Sequence, residues 1–128
     1  MPRWCLGESD KFTLTAASNC ASALHNLNGF EEAKALLRKT MPVARRVLGE
    51  TDRLTLRMRW NYAKALYKDD ASTLDDLREA ATTLEEIERI ARRVLGAAHP
   101  VTEGIEDDLG NSRTVLRARE DGKKVKFL

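Results

Sequence analysis

Little in this 128-residue chain can interrupt a helix: it has only three prolines and seven glycines. That scarcity excludes collagen-like repeats and long Pro/Gly linkers. Two cysteines, Cys5 and Cys20, are too few for a disulfide scaffold and form no CxxC pair. They are expected as reduced thiols. Aromatic residues make up 5%, so a large aromatic core is absent. No apolar run reaches the roughly 20 residues needed to cross a bilayer. The opening MPRWCLGESD lacks the apolar stretch of a secretory signal. The formal net charge of +2 is too small to predict nucleic-acid binding from bulk electrostatics. A cytoplasmic protein with no membrane and no nucleic-acid partner is the expectation.

What remains is 42% hydrophobic and 33% charged. Ala, Leu, Arg and Glu dominate, and these residues lose little free energy in a helix. A chain of this size can build one domain with its own core.

An internal repeat organises it. WCLGESDKFTL from Trp4, RVLGETDRLTL from Arg46 and RVLGAAHPVTE from Arg93 align on Gly7, Gly49 and Gly96, with spacings of 42 and 47 residues. Such periods mark stacked helical units. SNCASAL from Ser18 lies over WNYAKAL from Trp60, and the extra residues of the second unit fall in the loop-like KDDAST from Lys68. Each LG segment reads as a helix–turn–helix corner. Arginines suit the negative end of the outgoing helix, and glycine can adopt the left-handed conformation past it. Asp10 and Asp52 stand where they would cap the next helix. In the third copy His99 takes that place, and Pro100 suits the first helical position.

Five helices are predicted, over about Lys11–Asn26, Phe30–Leu48, Arg53–Lys68, Thr73–Leu95 and Pro100–Arg119. Their apolar residues keep helical spacing, as in Leu14, Ala17, Ala21 and Leu24. Ser72 or Thr73 followed by Asp75 or Asp76 suggests a capping box. Pro42 predicts a kink within the second helix rather than a break. The expectation is an all-α, right-handed α-solenoid of stacked antiparallel helix pairs. A single repeat domain would cover residues 1–120, with units starting near 8, 50 and 97. Residues 121–128, with Lys123, Lys124 and Lys126, would form a flexible basic tail.

RRVLGAAHPVT from Arg92 and GFEEAKALL from Gly29 resemble the tetratricopeptide repeats of kinesin light chains and their relatives. The resemblance covers nearly the whole chain. It departs from the family at LYKDDASTLDDL from Leu66, which lacks the Gly-aromatic turn. It implies a protein-interaction module, a scaffold or adaptor, in which the first helices of successive units line a concave groove. Asn19 and Asn61 match the family's NxxA position, and Asp108 takes the equivalent place in the third unit. Following the same faces gives Ser22 on the first of these helices, Arg57, Lys64 and Lys68 on the next, and Asn111 on the last. Asparagine amides can both donate to and accept from a peptide backbone. Arg57, Lys64 and Lys68 would favour acidic side chains or a carboxylate. The same polar residues also suit a merely solvated helix face. Trp60, Tyr62 and Tyr67 could anchor a ligand, with core packing the expected role of Tyr62.

No catalytic residues, metal ligands or cofactors are expected. His25, His99, Cys5 and Cys20 match no metal spacing, and no phosphate loop or nucleophile elbow is present. The acidic residues from Asp75 to Glu88 read as a solvated face. The alternative to a peptide adaptor is a structural subunit that packs into a larger or homo-oligomeric assembly through open ends. Its apolar flank would include Trp4, Leu6 and Leu14.

Overall fold

The computed structural model describes residues 11–122. Among these residues there are five α-helices and no strand. They are α1 (Lys11–Asn26), α2 (Phe30–Val47), α3 (Arg53–Lys68), α4 (Leu74–Leu95) and α5 (Pro100–Glu120). The all-α expectation holds, and each helix ends within one residue of its sequence assignment. The chain divides after Tyr62, inside α3, into two compact units. Cys5, the cap expected of Asp10, the flank residues Trp4 and Leu6, and the tail lysines lie outside the described residues.

In the first unit α1 and α2 form a packed hairpin. Asn28 turns the chain with φ 62°, a conformation asparagine tolerates. Gly29 follows with φ −84° and donates its N–H to the Leu24 carbonyl at 2.7 Å. Its value here is close approach rather than left-handedness: a Cβ would sit 3.3 Å from that carbonyl oxygen. Leu14, Ala21, Ala33, Leu37 and Ala44 are buried. Leu14 is only 1% exposed, so it belongs to the core and not to an open flank. The reason is its position on the stripe of α1 that meets α2. Lys34 is buried with its ammonium 2.7 Å from Glu31. Pro42 lies inside a single helix, as expected.

The corner into α3 uses Gly49 at φ 91°. Arg45 grips Glu50 through two hydrogen bonds of 2.7 Å. Glu50 is held below the usual carboxylate range, chiefly by that Arg45 hydrogen bond. Asp52 caps α3 as expected: the Leu54 N–H donates to its Oδ1 at 2.9 Å. The Thr55 hydroxyl donates to the Ala44 carbonyl at 3.4 Å, tying α3 to α2.

In the second unit α4 packs on α5. Of the residues expected at the capping box, Thr73 and Asp76 form it, with reciprocal bonds of 3.1 Å. Leu77, Ala80, Leu84, Ile87 and Ala91 are buried at alternating steps of three and four, the stripe that a helix must turn toward a core. Ile105, Leu109 and Val115 oppose it from α5. Gly96 ends α4 at φ 97°, ψ 154°, a region closed to residues with a Cβ. His99 then caps α5, its Nδ1 accepting from the Val101 N–H at 3.1 Å, with Pro100 at the first turn. Arg113–Glu85 at 3.1 Å and Arg78–Glu120 at 3.7 Å bridge the exposed rim. Exposed pairs of this kind add little stability.

Candidate functional site

The amphipathic period of each helix decides where the eight sequence-selected polar residues stand. Asn19 is exposed on α1, one turn from Ser22, which is half-buried. Arg57 is exposed on α3. Asn61 is not: it is 6% exposed. Its amide donates to the Ser22 hydroxyl at 3.0 Å. The first unit therefore couples two of its selected residues to each other, across α1 and α3. Asn61 contributes there as a brace between helices.

The selected residues of the second unit converge on an aromatic ring. Tyr67 is buried at 3% exposure and its hydroxyl donates to the Asp108 carboxylate. The Asn111 amide hydrogen-bonds the same hydroxyl. Lys68 holds its ammonium 5.9 Å from the centre of the Tyr67 ring. Lys64 is half-buried and feels the Asp108 charge. Three residues selected for peptide binding, Lys68, Asp108 and Asn111, thus meet at one tyrosine, and Lys64 feels the charge of Asp108.

The electrostatics follow from burial. Desolvation pulls the Lys64 ammonium below its ordinary value; Lys68 adds to that and Asp108 opposes it. Burial pushes the Tyr67 phenol up, the bond to Asp108 and its charge push it further, and Asn111 opposes them. At neutral pH the hydroxyl is therefore a donor. The Asp108 charge acts on the Lys64 ammonium. A half-buried ammonium beside an amide is suited to a carboxylate, because the interaction is less screened than at the surface.

Tyr67 was visible in the sequence only as an aromatic residue one turn beyond Trp60 and Tyr62. A reading that sorts helix faces by polarity assigns it to the core and misses its hydroxyl. Tyr62 is core, as expected, at 6% exposure. Arg38 reaches it from α2, with Nε donating to its hydroxyl at 3.3 Å and the guanidinium carbon 5.9 Å from the ring centre. Among the described residues no group of three or more His, Cys, Asp and Glu side chains could hold a metal ion. No described helix is long and apolar enough to cross a membrane.

A family model described as tetratricopeptide repeat matches residues 13–53, which span most of α1, all of α2 and the corner to α3. The match supports a repeat protein of tetratricopeptide type. No curated protein and no solved structure matches the chain.

Proposed function

We propose that the chain is a scaffold or adaptor module that takes a partner peptide on the polar faces of its repeat helices. Tetratricopeptide repeats generally mediate protein–protein interactions and are not catalytic. The observation that carries the proposal is the Lys64–Tyr67–Asp108–Asn111 cluster, a buried donor network with a half-buried cation at its edge. Buried polar networks are costly unless every member is satisfied, and here α3 and α5 are pinned to each other by one. Its two lysines, Lys64 and Lys68, favour a peptide bearing acidic side chains or a terminal carboxylate. The setting would be cytoplasmic, in the manner of the kinesin-light-chain repeats that the corners resemble.

The test is a comparative pull-down from cytosolic extract with the wild-type chain and a Lys68→Glu, Asn111→Ala variant, after circular dichroism shows both equally helical. Proteins that bind the wild type and disappear with the variant identify the ligand by their shared acidic segment. Identical capture by both chains refutes the reading. An assembly role through one end of the array has a separate observation behind it, an apolar hollow on the α1–α2 hairpin.

A further inference from the structure

Equivalent helices of the two repeats end in different ways. Leu24 of α1 and Leu66 of α3 stand at equivalent positions, because SNCASAL lies over WNYAKAL. A helix leaves its last carbonyls without an intrahelical partner. In α1 the Leu24 carbonyl is satisfied within the backbone, by the Gly29 N–H at 2.7 Å. The second unit lacks that glycine turn and carries KDDAST from Lys68 in its place. There the Leu66 carbonyl accepts from the Ser72 hydroxyl instead. Ser72 is 3% exposed, and its own carbonyl accepts from Arg119 Nη1 of α5 at 2.6 Å. Such a charge-assisted bond is stronger than one between neutral groups. Asp69 closes the loop, its carbonyl accepting from the Ser72 N–H and its carboxylate from the Ala71 N–H, each at 3.0 Å.

The segment so held carries the polar cluster. Tyr67 and Lys68, directly after Leu66, are the last two residues of α3. The end of α3 is therefore fastened to α5 at two places, through Tyr67 to Asp108 and Asn111 and through Ser72 to Arg119. Asn111 and Arg119 stand about 12 Å apart along α5, given the helical rise per residue. One attachment leaves a terminal turn free to swivel, and two at that separation fix its direction as well as its position. A cation in the last turn of a helix suits the dipole without reaching another element. Arg117 in the same turn stays exposed, whereas Arg119 is half-buried and reaches the loop.

We infer that Ser72 and Arg119 are positioning residues for the Lys64–Tyr67–Asp108–Asn111 cluster. They set the last turn of α3 so that the Tyr67 hydroxyl meets α5 and the Lys68 ammonium is presented to a ligand. The departure from the repeat pattern at KDDAST thereby moves control of the α3 end from a local backbone bond to the far end of α5. The consequence for peptide capture rests on the reading of that cluster as the peptide site; the positioning itself does not.

The test is nuclear magnetic resonance on the full chain. With Tyr62→Phe, Tyr67 is the only tyrosine, so the Cζ resonance of isotope-labelled tyrosine reports its hydroxyl alone. Asp108→Asn in that background marks where the resonance goes when the bond to the carboxylate is lost. Arg119→Ala and Ser72→Ala should each move it most of the way to that mark, and Arg119→Lys, which keeps a charged donor, should bring it back. Arg113→Ala, which removes only the exposed bridge to Glu85, should leave it in place. Amide exchange at Tyr67 and Lys68 should quicken roughly tenfold in both alanine variants while Leu84 in the α4 stripe keeps its rate, because the opening is local. A resonance that stays in place, or exchange quickened equally at Leu84, overturns the inference. Should Arg119→Ala not fold, Ser72→Ala decides alone, since it deletes one hydroxyl and no charge. Failure of the peptide reading looks different: the resonance moves in Arg119→Ala, yet capture of partners from extract is unchanged.

Discussion

Replacing Tyr67 by Phe tests the polar cluster with almost no change in packing. The ring keeps its volume, so no cavity opens and the loss is confined to the hydroxyl. That hydroxyl donates to the Asp108 carboxylate and is bonded by Asn111. A hydrogen bond to a charged group contributes roughly 1.5–3 kcal/mol. Asp108 is half-buried, so water recovers part of its solvation and the lower end applies: about 1.5–2 kcal/mol. Tyr62→Phe is the matched control. Its hydroxyl accepts a longer bond, 3.3 Å, from the exposed Arg38, and its loss should cost about 0.5 kcal/mol. Urea denaturation at pH 7, followed by far-ultraviolet circular dichroism, measures both. If the two variants agree within experimental error, or Tyr67→Phe matches the wild type, the network does not hold α3 to α5 as argued.

Further outcomes follow from the same geometry. Thr73→Ala should destabilise by about 1 kcal/mol, because it removes one half of the capping box on α4; thermal melts resolve that. Leu84→Ala should cost about 2–5 kcal/mol, since Leu84 is fully buried in the α4 stripe, and a smaller loss would mean that the α4–α5 core closes over the gap. Alkaline titration should show stability falling as pH rises above 10.0, the ordinary phenol value, because the folded phenol is raised and the unfolded chain ionises first; Tyr67→Phe should remove that fall. Lys64 acts with opposite sign: its folded value is lowered from 10.5, so its desolvation penalty is relieved as pH rises toward that value. On the acid side, Glu50 contributes stability above its unfolded value of 4.5 that is lost as pH falls through its lower folded value. Glu50→Gln should flatten that limb by less than about 1 kcal/mol, because the pair with Arg45 is half-exposed.

The sequence by itself determined the helices, their ends and the corners. These are local properties: a capping hydroxyl reaches an amide three residues away, a glycine admits a positive φ, and a period of three and four fixes one buried face. Asp52, Gly96 and His99 could therefore be assigned without tertiary knowledge, and all three hold, while the local pattern narrows the capping box only to Ser72 or Thr73. Only the tertiary structure decided what the polar faces do. Ser22 and Asn61 are 39 residues apart, and Tyr67 and Asp108 are 41 apart; polarity alone reads such residues as solvated. Packing brings each pair together, so that Asn61 and Asp108 each bond a side chain of another helix.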